Sequence, residues 1–446
     1  MSKVTKKRRV FVGFVFLLIV VTVVFLSVSA GKTRVRQEKN IPKIDVSLNG
    51  VSLNDINEGD KNTKYYDNYL VVYDGEEKNE YSGLEIKGRG NASWEMEKKS
   101  YRIKLNNKVD LLGLGKRKKW GLISNWLDDS FLRNDLGHYL GDILVDDYPT
   151  RGEFVELEID NRNLGLYYLI DLMSIDKKSV DLRDSMGVLA EINNAYCEND
   201  DVWEKSAIFR DCIVIKDVVE EENADLALDS FVNNYNEFEK AVLMGNYKGV
   251  LELVDVESWA RYYLLSEFTS NPDAYITSWY LYKDGESDVI HAGLGWDFDA
   301  AFGNRSWGGW PEGFYSPTEM MARLKFSFNE TKEPELDGGD CYYDMKNKED
   351  LVSPTMCYLV DMPEFRELVS NIYRDELMGR RDEVLNYVKD KADYIREAAL
   401  RDDEIWGGDF DEEVKYLSWW VEERFNYFDE IYVFGGLRFQ VEATEI

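Results

Sequence analysis

Asn271-Pro272-Asp273-Ala274-Tyr275-Ile276-Thr277-Ser278 leads into Trp279-Tyr280-Leu281-Tyr282, then into Lys283-Asp284-Gly285-Glu286-Ser287. Val289-Ile290-His291-Ala292-Gly293-Leu294-Gly295-Trp296 follows, and the stretch ends at Asp297-Phe298-Asp299. Two aromatic and β-branched runs on either side of an Asp-Gly turn predict a β-hairpin. A hairpin returns its end to its start, so Asp273 and Asp297 should meet although 24 positions separate them. If the end stays extended, alternation aims Asp297 and Asp299 one way and Phe298 the other. Carboxylates crowded in this way repel unless a proton or cation neutralises them. An all-oxygen donor set suits Mg²⁺, Mn²⁺ or Ca²⁺. The plainer alternative is that these acids cap turns in solvent; the aromatic run around them argues against it, since carboxylates rarely sit among apolar residues without a partner.

The arrangement matches the one that protein kinases use for phosphoryl transfer. There a catalytic Asp is followed five residues later by a metal-holding Asn, and a hairpin leads to a second, metal-binding Asp followed by Phe. Asp273 and Asp297 occupy those two places, and Ser278 stands where the Asn would be.

A second cluster lies upstream at Lys87-Gly88-Arg89-Gly90-Asn91-Ala92-Ser93-Trp94. Glycines at 88 and 90 let backbone amides approach a phosphate, and Lys87 and Arg89 bring charge. In Lys98 to Leu105, Tyr101, Ile103 and Leu105 share one face and Arg102 and Lys104 the other. Lys104 is thus a candidate phosphate partner, with a solvated strand face as the alternative for Lys98, Lys99, Arg102 and Lys104. Glu191, in the apolar run Val188 to Ile192, is expected to pair with a phosphate-binding Lys or hold metal, or to face water from an edge strand. Lys216, at the end of Cys212-Ile213-Val214-Ile215, is a candidate cleft residue.

The 446 residues include 85 acidic and 54 basic ones, a net charge of −31. Residues 1–39 hold nine Lys/Arg and one Glu, which leaves −39 for the remainder. So acidic a domain is not expected to grip nucleic acid, and an anionic nucleotide needs a local basic cluster with metal. Lys6-Lys7-Arg8-Arg9 precedes an uncharged run over 10–31, long enough at about 1.5 Å per residue to span a bilayer. An uncleaved transmembrane anchor with a cytoplasmic N-terminus is the expectation; cleavage after Val28-Ser29-Ala30 is the alternative. Either way the main domain is expected outside the cytoplasm, membrane-anchored or secreted. That location permits disulfides, and nearest-neighbour pairing predicts Cys197–Cys212 and Cys341–Cys357. Without a C-x-x-C, zinc is not expected, and His138 and His291 are too few for a His-rich metal site.

The pattern divides the chain into a basic N-terminus (1–9), the apolar segment (10–31), a linker (32–41), one domain (42–435) and a tail (436–446). The domain begins with β-like runs near Val46, Tyr69–Tyr73, Leu84–Lys87, Lys99–Leu105 and Trp120–Ser124. A helix over Phe131–Leu144 is capped by Asp129 or Ser130, and Phe154–Ile159 pairs with Leu164–Ile170. Helical spacing dominates later, at 225–244, 255–268, 364–399 (with a break) and 412–428. Residues 304–350 look like a long irregular insertion. The expected class is α+β and two-lobed, β-rich first and mainly helical second.

Taken together, these segments resemble the CotH kinase family, named for spore-coat protein H. The resemblance spans roughly 42–430 and is carried by Lys87 to Trp94, Lys98 to Leu105, Leu111-Leu112-Gly113-Leu114, Asp129-Ser130-Phe131-Leu132-Arg133-Asn134, Gly165 to Leu169, Asn271-Pro272-Asp273 and Trp296 to Asp299. It implies an atypical protein-kinase-like fold and transfer of phosphate from ATP to Ser or Thr of coat, surface or secreted proteins. Carried over, Asp273 resembles the catalytic Asp and Asp297 the metal-binding Asp; beside the resemblance, the reading of the residues themselves adds Asp299 as a partner for Mg²⁺ or Mn²⁺ and Lys87, Arg89, Lys104, Glu191 and Lys216 for the nucleotide. The Arg133-Asn134 pair is expected to be structural. Ser278 departs from the expected Asn, which leaves a catalytically weak pseudokinase used for surface assembly or binding as the alternative. A carbohydrate-active protein, with paired acids beside Trp307, Trp310 and Tyr315, is the third reading.

Overall fold

A computed structural model describes residues 41–145, 150–177, 179–199, 202–293, 295–307, 315–323 and 352–434. The apolar run 10–31, the tail 436–446, Trp310 and Cys341 lie outside these residues. Among the described residues no helix is long and apolar enough to cross a membrane.

The first part of the domain contains β1 (Lys43–Ser47), α1 (Leu53–Glu58), β2 (Tyr65–Asp74), β3 (Glu77–Arg89), β4 (Ser100–Asp110), β5 (Lys116–Ile123), α2 (Arg133–Leu144), β6 (Gly152–Ile159) and β7 (Arg162–Asp171). Its strands close a barrel in the order β1-β2-β3-β4-β5-β7-β6. Neighbours run antiparallel, except that β1 closes on β6 in parallel, with Ile44 opposite Leu157 and Val46 opposite Ile159. Strand alternation fills the interior with Ile44, Leu70, Leu84, Ile86, Ile103, Trp120, Leu122, Leu157 and Leu169. Strand β7 is buried on both sides: Tyr167 and Leu169 point into the barrel, while Leu166, Tyr168 and Ile170 join the core of the second part. A both-face apolar strand therefore welds the barrel to that second part.

The second part holds β8 (Val188–Ile192), β9 (Trp203–Lys205), β10 (Cys212–Val218), α3 (Ala224–Leu243), α4 (Tyr247–Leu251), α5 (Val256–Thr269), β11 (Trp279–Lys283), β12 (His291–Ala292), α6 (Thr355–Asp361), α7 (Pro363–Ile372), α8 (Arg381–Trp406) and α9 (Phe410–Tyr432). Its five strands form an antiparallel sheet ordered β12-β11-β8-β10-β9. Around that sheet the helices bury Trp259, Phe268, Phe365, Trp420, Phe425 and Phe428. The molecule is thus α+β, with a β-rich N-terminal region and a helical C-terminal region. Cys197 and Cys212 are disulfide-bonded as expected, and Cys357 is also in a disulfide.

Several expectations need correction. The helix expected from Phe131 starts at Arg133, because Phe131 takes a left-handed φ of 58°. Neither Asp129 nor Ser130 is its N-cap; the Arg133 amide instead donates to Asp128 Oδ2 (2.9 Å). The break expected within 364–399 is present: α7 and α8 are separated by a widened turn at Tyr373–Leu377 and a tight one at Met378–Arg380. Lys98 is not on a solvated face: it is buried, and its Nζ donates to Asp402 Oδ2 (2.6 Å) on α8 and to the Leu166 carbonyl (2.7 Å).

Candidate functional site

The hairpin forms, with Leu281 opposite Ala292 and Tyr282 opposite His291, but its second strand is only two residues long. The chain does not stay extended to Asp297. That residue adopts φ 60°, and Ser278, across the open end, adopts φ 55°. Left-handed backbone at two non-glycine residues costs energy that the surroundings must supply, and such strain gathers at functional sites.

Two elements fix the open end. Asp273 lies on a short 3₁₀ turn, Pro272–Tyr275, that follows α5. Asn271 caps this turn: its Oδ1 accepts from the Asp273 amide (3.1 Å), and its Nδ2 donates to the Asp297 carbonyl (3.1 Å). One buried side chain therefore ties the two acid-bearing segments together. From the other side, α2 grips the 296–302 segment. Asn134 Oδ1 accepts from the Phe298 amide (2.9 Å), and the fully buried Arg133 donates to the Ala301 carbonyl (3.1 Å) and pairs with Asp128 (2.5 Å). The Arg133-Asn134 pair is structural in this sense.

Asp273, Asp297 and Asp299 are each half-buried, enclosed by protein yet reached by solvent. Burial, then Asp297 and Glu191, push the Asp273 carboxyl up to about 8. Asp299 is raised well above the usual carboxylate range by burial and then by Asp297, Asp273 and Asp128. Burial raises Asp297 too, opposed by the Arg89 guanidinium and by the Ser278 hydroxyl, which donates to Asp297 Oδ2 at 3.4 Å. The three acids thus share one electrostatic neighbourhood with too little positive charge to ionise together easily. Among the described residues no three His, Cys, Asp or Glu side chains converge into a ready-made metal centre.

Glu191 does not sit on an edge strand. It is buried on the central strand β8, where Oε1 accepts from the Ser278 amide (2.9 Å) and Oε2 pairs with Lys216 of β10 (3.0 Å). It therefore joins the sheet to the strained turn that carries Ser278. Thr277 Oγ1 donates to Asn193 Oδ1 (3.1 Å), and the Tyr196 amide donates to the same oxygen (2.9 Å). The Tyr196 phenol is pushed up by burial and by Asp273 and Asp297, which places it beside the acids.

The barrel contributes cations. Along β3, β4 and β5, the residues that alternate away from the barrel core include Lys87, Arg89, Arg102, Lys104 and Lys119, with Lys87 opposite Arg102 and Lys104 opposite Lys119. Burial, then Arg102 and Lys64, lower the Lys87 ammonium. Lys119 is lowered by the protein crowding it and by Arg102 and Lys104, against a favourable Asp217 on β10. Glu85 offsets only part of this charge, at 3.9 Å from Arg102. Arg89 reaches the acid segment, with its guanidinium 5.6 Å from the Trp296 ring centre.

The structure therefore draws Asp273, Asp297, Asp299 and Arg89 into one neighbourhood and ties in Glu191 and Lys216 through the Ser278 turn. Lys87 and Lys104 lie on the same basic face as Arg89, further along the barrel. Sequence reasoning missed Asn271 as a clamp, Tyr196, Asn193 and Lys119. The run Lys116-Arg117-Lys118-Lys119 was a visible signal for the last; the others depend on tertiary contacts.

Fold and site define an α+β protein with a barrel-borne basic face beside a strained, carboxylate-lined hairpin mouth. The CotH kinase protein family matches residues 86–428, and the chain belongs to that family. Among curated proteins it is similar to inner spore coat protein H of Bacillus subtilis (strain 168), at 26% identity over 227 residues. That match covers 49% of this chain and 59% of the relative, less than two thirds of its length.

Proposed function

We propose that the protein is an extracytoplasmic kinase with a two-lobed, protein-kinase-like arrangement, which transfers phosphate from ATP to Ser or Thr of a coat, surface or secreted protein. The observation that carries this reading is the pairing of a proton-retaining acid cluster with a crowded cationic face. Each is electrostatically costly alone, and a metal-bound polyphosphate relieves both. The donor set at Asp297 and Asp299 is all oxygen, which fits Mg²⁺ or Mn²⁺. Mg²⁺ is commonly held by one or two carboxylates plus substrate phosphates, so a complete protein cage is not needed. When bound, the cation supplies charge neutralisation for the transferring phosphoryl group.

In this mechanism Arg89, Lys87 and Lys104 neutralise phosphate charge from the barrel side. Glu191 positions Lys216 and the Ser278 turn. Asp273 orients the acceptor hydroxyl and takes its proton. Burial and the neighbouring acids favour a proton on Asp273; a cation held by Asp297 and Asp299 would offset the Asp297 contribution, so that the ionised Asp273 could accept the hydroxyl proton. The curated relative is named an inner spore coat protein, and the uncharged run 10–31 follows a basic N-terminus. Both support a main domain outside the cytoplasm, anchored or secreted.

A second reading, a pseudokinase used for binding or assembly, draws on Ser278, whose hydroxyl is a poorer metal ligand than the amide it replaces. Calorimetry of ATP with Mg²⁺ or Mn²⁺, on wild type and Asp297→Ala, tests the site: the variant should lose divalent-dependent binding while keeping its fold. Asp273→Asn should bind ATP and lose roughly 10²–10⁴-fold in turnover. Unchanged nucleotide affinity in Asp297→Ala sinks the metal assignment, and a brisk wild type undiminished in Asp273→Asn sinks that of Asp273. If the wild type is inactive, rescue by Ser278→Asn identifies the missing ligand; the left-handed backbone there suits Asn.

A further inference from the structure

A cavity of about 790 Å³ opens between the far end of the β4–β5 hairpin and the crossover from β7 to β8. Its wall carries Lys108, Lys116, Lys177 and Arg183 against two acids, Asp176 and Asp181. Ile175 and Leu182 give it apolar lining. None of these residues is among the groups gathered around Asp273, Asp297 and Asp299.

Both acids already have cationic partners. Asp176 pairs with Lys108 and lies 3.9 Å from Arg117, and Asp181 pairs with Arg183 at 2.6 Å. Among the described wall residues four cations face two acids, with Lys177 acting on Asp181 alongside Arg183. In a chain whose residues after 39 carry −39, an excess of cations around a concave surface runs against the overall field. The acid partners are held by partly exposed pairs, which are individually weak. A doubly charged oxyanion can therefore compete for the same cations, and Arg183 offers it a forked donor. The volume falls in the range of small-ligand sites.

The cavity's position gives such an anion leverage. One wall belongs to the barrel and the other to the crossover. The Ile175 amide donates to Asp217 Oδ2 (2.8 Å), beside Lys216 and within electrostatic reach of Lys119. An anion bridging the two walls would cross-link the barrel to the strand that carries Lys216.

We propose that this cavity is a second anion site, outside the acid-lined hairpin mouth, which takes a phosphate-type oxyanion of two or more charges, either pyrophosphate or a phosphorylated side chain. It needs no divalent cation and does not depend on the nucleotide reading of the cleft.

The test is calorimetry with pyrophosphate in chelator, on the full chain and three variants. Lys116→Glu/Arg183→Glu alters exposed side chains and should leave thermal stability unchanged; it should weaken pyrophosphate about tenfold or more. Asp297→Ala and Lys104→Glu/Lys119→Glu should bind within about twofold of wild type. The affinity should fall with added salt. A Ser-phosphorylated peptide that displaces pyrophosphate where its unphosphorylated form does not identifies a phosphorylated side chain as the source; pyrophosphate binding without such displacement identifies the free anion. No saturable binding at millimolar pyrophosphate, equal affinity in Lys116→Glu/Arg183→Glu, or a loss confined to Lys104→Glu/Lys119→Glu overturns the proposal.

Discussion

Gly137 on α2 lies so close to Phe298 that a Cβ there would stand 2.1 Å from Cγ of the ring. The same helix bonds the Phe298 amide through Asn134 and the Ala301 carbonyl through Arg133. It also sets the His138 ring 5.7 Å from Phe298 and 6.2 Å from Trp296, the two neighbours of Asp297. The left-handed turn at Asp297 is thus moulded onto one helix face. Gly137→Ala should lose about 1–3 kcal/mol through overpacking and disturb divalent-dependent nucleotide binding. Gly141→Ala, where a Cβ would meet only Leu265 at 3.9 Å, should be neutral or gain up to about 1 kcal/mol of helix propensity. Denaturant melts of both variants check this; equal effects would remove the special role of the Gly137–Phe298 contact.

Asn271 bridges the Asp273 turn and the Asp297 carbonyl from a buried position. Asn271→Ala leaves a buried carbonyl and an amide without this partner, a loss of about 1–3 kcal/mol. Because both acid-bearing segments are released together, metal-dependent binding should fall by more than stability alone predicts. Asn271→Asp restores the acceptor for the Asp273 amide but places a further charge beside the cluster, and should raise the demand for a cation. Thermal melts with and without Mn²⁺ separate these effects.

The acid cluster sets a pH dependence of defined sign. Asp273 is raised from the usual carboxylate value to about 8, so the folded protein keeps a proton that the unfolded chain has lost. Without divalent cation, stability should therefore fall as pH rises from about 4 to about 8 and level off beyond. Asp273→Asn removes this contribution, so its advantage in melting temperature over wild type should grow with pH across that window, measured in chelator. Divalent affinity should rise over the same window, because binding expels the proton. A melting difference independent of pH would refute the raised pKa.

Lys98 and Asp402 form a buried ion pair between the barrel and α8, with Lys98 also 4.9 Å from the Tyr167 ring centre. Removing one partner strands the other. Lys98→Met or Asp402→Asn should each cost about 3–5 kcal/mol. The double change should cost clearly less than the two singles combined, since neither charge is then left alone. Denaturant titration of the four proteins gives the coupling energy, and strict additivity would show that the pair does not act as a unit.

Much of the fold was legible because local chemistry dictates it. The Asp284-Gly285 turn between aromatic runs specified a hairpin, and Gly285 indeed takes a positive φ of 87°. The alternation of Tyr101, Ile103 and Leu105 against Arg102 and Lys104 assigned the inner and outer faces of β4. Other features were left open for a physical reason. Lys98 looked like part of a solvated basic strand, since nothing nearby in sequence shows that Asp402, 304 positions later, will bury it. Glu191 was open to an edge-strand reading because strand order is not written in a strand's own residues.

Local sequence alone is enough for the class of structure, the hairpin between Asp273 and Asp297, and the separation of a basic N-terminal stretch from an acidic remainder. These follow from side-chain period, turn chemistry and charge count, which act over a few residues at a time. The closure of β1 on β6 into a barrel emerges from long-range packing. So do the left-handed turn of Asp297 against α2 and the ties that Asn271 and Glu191 make between the segments around the acids. Such features arise from packing and hydrogen bonds between residues far apart in the chain. Their energy appears only once the loops between them have closed.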